Sequence, residues 1–195
     1  MERDKIRRQV IALRDQLTPQ DLAIKSERAV ENLFQLAEFM AASTVMFYAS
    51  FKSEVQTMGA IARCLKQGKR VALPLTLAKE KMLRPYLIKD PKRDLKPGYC
   101  AIPEPDPDLA VLLNPQDIDV VIIPGSVFDR NSGRLVYGGG FYDRCLANQA
   151  PASFRVALAF ELQVIDASLP LEAHDQPLDC LVTEKNIFRF ERTGY

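Results

Sequence analysis

The run Asp119-Val120-Val121-Ile122-Ile123-Pro124-Gly125-Ser126 decides the fold. Four β-branched apolar residues follow one another without a polar break and end at Pro-Gly. An uninterrupted run of this length suits a strand covered on both faces, as in a parallel sheet, rather than one with a wet side. Working outward, residues 44–49, 71–75 and 83–88 read as strands before it, and 156–159 and 181–183 as strands after it. Val55, Met58, Ile61 and Leu65 mark a helix face, with Gly68 as its stop. Ile6, Val10, Leu13 and Leu17 recur at helical spacing. Thr18-Pro19 then opens a second helix, with Thr18 as N-cap, that should bury Leu22, Ala29, Leu33, Leu36 and Met40. Strands separated by helices predict an α/β fold: one domain over residues 1–195, in three layers, with a largely parallel or mixed central sheet flanked by helices. Residues 89–116, proline-rich from Pro91 to Pro115, read as a long irregular excursion of the kind that tends to carry function.

The composition narrows the class. The 195 residues hold 26 Lys+Arg against 25 Asp+Glu, with 47% hydrophobic and 26% charged residues. These are ordinary globular values, which exclude disordered, collagenous and coiled-coil chains. A net charge of +1 argues against a dedicated nucleic-acid binder, and the sequence shows no RNP-like aromatic motif. No apolar run approaches the roughly 20 residues of a membrane span, and Met1-Glu2-Arg3-Asp4 starts no secretory signal. The four cysteines (64, 100, 145 and 180) lack metal-ligand spacing and read as reduced structural thiols.

The chemistry concentrates after the central strand, where open α/β sheets place their ligands. Gly138-Gly139-Gly140 lets backbone N–H groups approach an oligophosphate, and a helix from Phe141 would put them at its N-terminus. Asp143, one turn in, can hold a Mg²⁺ bridging phosphates. Arg134 and Arg144 flank the loop and can meet phosphate charge. Taken alone, the glycines fit a flexible turn equally well; they form neither a Walker A loop nor a dinucleotide fingerprint. On the first helix Arg3, Arg7 and Arg14 fall within about 40° of each other, a basic stripe that for Arg14 reads as a solvated face, with Lys5 and Arg8 pointing elsewhere. Tyr137, Phe141 and Tyr142 offer aromatic surface, as does Phe51. With His174 as the single histidine, no catalytic triad can be assembled.

Arg134-Leu-Val-Tyr-Gly-Gly-Gly-Phe-Tyr-Asp-Arg144 resembles the RLGxGxGYYDR signature of the 5-formyltetrahydrofolate cyclo-ligase family. The likeness extends in order along the chain: the basic first helix, Glu54-Val-Gln-Thr57, Gly68-Lys-Arg-Val-Ala-Leu-Pro74, Ile102-Pro-Glu-Pro105, Pro124-Gly-Ser-Val-Phe-Asp129 and His174-Asp-Gln-Pro-Leu-Asp-Cys-Leu-Val-Thr-Glu184. Three positions depart from it. Val136 replaces the first loop glycine, Phe141 the first tyrosine, and Arg3 stands where lysine is usual.

The resemblance implies an ATP- and Mg²⁺-dependent enzyme that turns 5-formyltetrahydrofolate into 5,10-methenyltetrahydrofolate, ADP and phosphate. ATP would phosphorylate the formyl oxygen and N10 would close the ring, a chemistry that asks chiefly for positioning and charge neutralisation. It implies catalytic roles for Arg134, Tyr142 and Asp143. ATP would be bound by Arg3, Arg7, Arg134, Leu135, Val136, Tyr137, Gly138, Gly139, Gly140, Phe141 and Tyr142. Folate would meet Glu54, Phe51, Tyr137, Gly140 and Phe141. Asp143 and Asp179 would hold the metal, although Asp179 also reads as a turn carboxylate. The expected partners are these small molecules alone, with no nucleic acid and no membrane, for a monomer in the cytoplasm. The rival readings are another ATP-dependent ligase or kinase, and a nucleotide-binding or RNA-associated module without turnover.

Overall fold

A computed structural model describes residues 2–136 and 139–191 of the chain. Its helices are α1 (Glu2–Arg14), α2 (Pro19–Leu33), α3 (Ala37–Ala41), α4 (Met58–Lys66), α5 (Pro91–Asp94) and α6 (Phe141–Asn148). Its strands are β1 (Thr44–Met46), β2 (Arg70–Leu77), β3 (Met82–Ile88), β4 (Leu95–Pro97), β5 (Pro103–Pro105), β6 (Val111–Leu112), β7 (Val120–Ile123), β8 (Val127–Asp129), β9 (Arg134–Leu135), β10 (Phe154–Leu158), β11 (Val164–Ile165), β12 (Cys180–Val182) and β13 (Ile187–Arg189).

Eight strands form the main sheet in the order β13-β12-β10-β7-β1-β2-β3-β6. The five from β12 to β2 run parallel, and β13, β3 and β6 join antiparallel at the edges. The sheet is therefore mixed, and the apolar run at 120–123 lies in its middle. Side chains alternate between faces along a strand. Val120 and Ile122 accordingly join a core with Leu33, Phe39 and Ile61 of the helices α2, α3 and α4. Val121 and Ile123 join another with Cys145 and Leu146 of α6. These are the outer layers.

One residue of each expected helix face departs in the structure, whereas Val10, Ala29, Leu33 and Leu36 are buried as expected. Leu13 is 54% exposed whereas Arg14, beside it, is 1% exposed. The reason is what α1 covers: a small sheet of β11, β8 and β9 whose core, with Val10, Leu135 and Leu169, is only a narrow apolar strip. The second expected helix stops at Leu33, so Met40 falls in α3 and is exposed while Phe39 is buried. The excursion at 89–116 is partly ordered as β4 paired with β5, and as β6 on the sheet edge. No helix among the described residues is long and apolar enough to cross a membrane.

Candidate active site

The carboxyl ends of the central strands open into a cavity of about 610 Å³. One wall comes from the segment after β1, which carries Tyr48, Phe51 and Glu54, and another from Pro74 and Thr76 of β2. The proline-rich excursion contributes Tyr99, Ile102 and Glu104, and the chain after β7 contributes Pro124 and Gly125. Val136, Gly139, Gly140, Phe141 and Tyr142 close it. The lining is mostly apolar, with a few fixed polar groups, as small-molecule sites usually are.

Glu54 is held in this wall by local geometry. The Phe51 N–H donates to Glu54 Oε2 at 3.0 Å. The Tyr48 hydroxyl donates to the Val55 carbonyl at 3.0 Å, and Thr57 Oγ1 to the Tyr48 carbonyl at 2.7 Å, closing the segment on itself. Burial raises the Glu54 pKa; the Phe51 N–H and the Arg14 charge oppose that rise without cancelling it. Arg14 reaches across from α1, donating from Nε to Ser53 Oγ at 3.0 Å and from Nη1 to the Gly125 carbonyl at 3.5 Å. Burial, reinforced by the Glu54 charge, pushes the phenols of Tyr48 and Tyr142 upward, so both stay protonated donors at neutral pH.

The loop before α6 is built from its base upward. Asp129 accepts the N–H groups of Asn131, Gly133 and Leu169 at 2.7–2.8 Å, and a Cβ on Gly133 would collide with this carboxylate. That turn launches Arg134 into the interior. Its Nη2 donates to Asp143 Oδ1 at 2.7 Å and its Nη1 to the Pro124 carbonyl at 3.1 Å. Asp143 Oδ1 also accepts the Gln176 N–H at 3.1 Å. Gly140 caps α6 at φ +61°, a left-handed conformation that costs glycine little. Arg144 donates from Nε to the Lys81 carbonyl at 2.6 Å and from Nη2 to the Gly139 carbonyl, tying the loop to the β2–β3 hairpin tip.

On the other side of the loop lies a smaller cavity of about 250 Å³, lined by Arg3, Asp4, Arg7, Val136, Gly140, Asp143, Glu172, His174 and Asp175. Val136 and Gly140 line both cavities, so the loop is their shared wall. Arg3 pairs with Glu172 and Asp175, each at 3.0 Å, and Arg7 Nη2 with Asp4 at 2.6 Å. Arg7 Nε is buried and has no hydrogen-bond partner among the described residues, a donor waiting for an acceptor. The hydrogen bonds to Asp143 go to Oδ1, and Oδ2 accepts none among the described residues. No group of three or more His, Cys, Asp or Glu among them is placed to hold a metal. Mg²⁺ usually takes one or two carboxylates with phosphate oxygens and water, so this donor set fits Mg²⁺ in the company of a phosphate.

Residues 1–184 match the 5-formyltetrahydrofolate cyclo-ligase family. The chain belongs to that family. It is 32% identical over 183 residues to the 5-formyltetrahydrofolate cyclo-ligase of Haemophilus influenzae, covering 93% of this chain and 97% of that protein. The Escherichia coli K12 cyclo-ligase is also 32% identical, over 89% of this chain and 96% of its own. The solved structure of Aquifex aeolicus 5,10-methenyltetrahydrofolate synthetase superposes with a TM-score of 0.86 at 33% identity, covering 100% of this chain and 95% of that one.

Within this cyclo-ligase fold the residues expected to form the site divide into three groups. Phe51, Glu54, Phe141 and Tyr142 gather on the large cavity, Arg3, Arg7 and Asp143 on the small one, and Val136 and Gly140 between them; Gly139 joins the large side. Tyr137 and Gly138 lie outside the described residues. Arg134, Leu135, Arg144 and Asp179 are engaged elsewhere. Arg134 is 4% exposed and spends its charge on Asp143; Leu135 is wholly buried in the small core; Arg144 bonds two carbonyls. Asp179 accepts the Arg155 N–H at 2.7 Å. Phe154 stands opposite Val120 at the amino ends of β10 and β7, so Asp179 sits at the end of the sheet away from the cavities.

Arg14 is a correction to the solvated-face reading: it is buried under the Glu54 segment. The signal for it was present in its phase with Arg3 and Arg7. Tyr48 and Glu104 were missed, and only the position of Glu104 inside the Ile102-Pro-Glu-Pro105 motif pointed to it. Three of the four cysteines are buried and all are free. Burial lifts the thiols of Cys64 and Cys145 to about 11 and that of Cys180 to about 12, which keeps them inert.

Proposed function

We propose that the chain catalyses the ATP- and Mg²⁺-dependent cyclisation of 5-formyltetrahydrofolate to 5,10-methenyltetrahydrofolate, with the reduced folate in the large cavity and the ATP phosphates in the small one. The observation that carries this reading is the shared wall. A loop with Val136 and Gly140 on both sides brings an apolar cavity holding a buried carboxylate against a charged cavity holding arginines.

The pterin lies against Phe51 and Phe141, and Glu54 accepts from its 2-amino and N3–H groups, a donor pair that a carboxylate matches. The formyl oxygen points at the loop. Arg3 and Arg7 draw the phosphates in, and Arg7 Nε finds there the acceptor it lacks among the described residues. The free N–H groups at the start of α6 favour negative charge at the same place. Asp143, held by Arg134 and the Gln176 N–H, turns Oδ2 toward the phosphates. Mg²⁺ bound there would screen the phosphoryl charge during transfer. The γ-phosphoryl passes to the formyl oxygen, N10 attacks the activated carbon, and the phosphate leaves with that oxygen. Tyr142, kept protonated, donates within the large cavity.

The test is formation of methenyltetrahydrofolate, followed by absorbance, with ATP and Mg²⁺ each withheld in turn. Product that depends on both supports the reading. ATP binding without any folate-dependent turnover would favour a nucleotide-binding module and overturn it.

A further inference from the structure

The large cavity holds a second carboxylate that the cyclisation as described leaves unused. Glu104, on β5, is 4% exposed and lines the same cavity as Glu54. The two are held alike. Glu54 Oε2 accepts the Phe51 N–H at 3.0 Å, and Glu104 Oε1 accepts the Thr76 N–H at 3.2 Å. In each, the other oxygen has no hydrogen-bond partner among the described residues. The fold makes room for Glu104 deliberately: Gly98 lies so close that a Cβ there would overlap the Glu104 carboxylate. The pairing of β4 with β5, Lys96 opposite Glu104, fixes that approach. Both carboxylates act on the Tyr142 phenol, which places them around one region of the cavity.

A buried carboxylate with an open oxygen needs a donor from whatever fills the cavity. If that occupant is a reduced folate, as proposed above, its ring donors are few. The 2-amino and N3–H groups lie along one edge and are matched by Glu54. N5 carries the formyl group and N1 is an acceptor. The remaining ring donor is N8–H, which exists in the reduced pterin and is absent from the fully oxidised one, where N8 presents a lone pair. We propose that Glu104 accepts a hydrogen bond from N8–H and thereby selects reduced over oxidised folates. The discrimination is two-sided, since a lone pair facing a carboxylate is repelled as well as unbonded.

The experiment measures binding of 5-formyltetrahydrofolate by calorimetry, then its displacement by 7,8-dihydrofolate and by folic acid. The last two differ by the hydrogens across C7 and N8, so only dihydrofolate has N8–H. Wild type should favour dihydrofolate over folic acid by at least about tenfold, or 1.4 kcal/mol. Glu104→Gln should shrink that ratio at least about fivefold, whereas Glu54→Gln should weaken both ligands together and leave the ratio in place. Gly98→Ala, which keeps the charge but pushes the carboxylate aside, should shrink the ratio as well, and guards against a fold defect in the first variant. A ratio unmoved by both changes, with folate binding retained, overturns the role of Glu104 alone. An altered preference among purine nucleotides instead would give Glu104 to the nucleotide and overturn it too. Failure of the wild-type protein to bind any folate would overturn the folate reading and this inference with it.

Discussion

The two cavities sit back to back and are built by opposite means. The large one is assembled from six stretches of chain spread from Tyr48 to Tyr142, and its carboxylates are fixed by backbone N–H groups. The small one is made by the start of α1, the loop and residues 172–175, and its polar groups are fixed mostly by opposite charges. Backbone donors hold a carboxylate in place whatever the salt concentration, and a low-dielectric wall magnifies what it does to a ligand. Side-chain ion pairs at a half-open surface are worth little on their own and are easily exchanged for a better anion. The large cavity is thus suited to selecting a ring system, and the small one to admitting a highly charged, mobile group.

The largest effect should come from the buried ion pair at the base of the wall between the cavities. Arg134 and Asp143 form an ion pair with side chains only 1% and 6% exposed. Removing one partner leaves a buried charge uncompensated. Arg134→Met should therefore cost about 3–5 kcal/mol of stability, measured by urea unfolding, and should abolish turnover. If stability is unchanged, the pair does not organise the wall.

Next in size, and confined to the large cavity, is Glu54→Gln. It keeps the shape but removes the charge, so 5-formyltetrahydrofolate affinity should fall by about 1.5–3 kcal/mol, the range for a charged hydrogen bond, while ATP affinity holds. A stability signature of opposite sign accompanies it. Burial raises the Glu54 pKa above its ordinary 4.5, so the folded state resists ionisation that the unfolded chain accepts. Wild-type stability relative to the variant should be highest below pH 4.5 and should decline as pH rises through the raised value. Thermal unfolding of both proteins between pH 4 and 7 checks the sign.

The same contrast explains what was legible in the sequence. The sheet is read from short β-type runs: those at 71–75, 83–88 and 120–123 lie within strands of the structure, while those at 44–49, 156–159 and 181–183 overlap β1, β10 and β12 and overrun their carboxyl ends by one to three residues. The short strands β4, β5, β8, β9 and β11 carry no such period, because two or three residues cannot display one. The small cavity was legible as a basic helical stripe and a glycine run, both local patterns. The large cavity was legible in part, through Phe51, Phe141 and Tyr142 as aromatic surface and through the excursion at 89–116, with Glu54 singled out by the resemblance. Tyr48 and Glu104 come together through tertiary contacts, and Arg14 was misjudged because an arginine beside an apolar face looks solvated until something covers it.

A smaller effect tests the small cavity directly. Arg7 faces it, whereas Arg8 is exposed on another side of α1 and bonds the Asp4 carbonyl. Arg7→Ala should raise the KM for ATP about tenfold with the KM for folate little changed, since hydrogen bonds to charged groups are worth about 1.5–3 kcal/mol. Arg8→Glu should move neither by more than about twofold, as expected of a solvated charge. Equal effects from the two variants would break the assignment of phosphate to this side of the wall.

The smallest effect should be at Val136, where the chain departs from the family signature. Positive φ occurs at Gly68 and Gly140 among the described glycines, and at Lys52, Lys81, Cys100, Ala101 and Ser132 among the other described residues; Val136 is not one of them. A β-branched residue is therefore unstrained there, and its side chain forms part of the partition between the cavities. Val136→Gly should loosen that partition, with an entropic loss of about 0.5–1 kcal/mol in stability and a weakening of ATP binding of no more than about threefold. Gly140→Val makes the opposing case. It forces a side chain onto φ +61° and against Arg144 Nη1, 3.0 Å away, so turnover should be lost. Unfolding curves and ATP affinity for both variants measure the difference. A large gain in turnover from Val136→Gly would mean that the wall needs a closer backbone approach at 136 than valine permits.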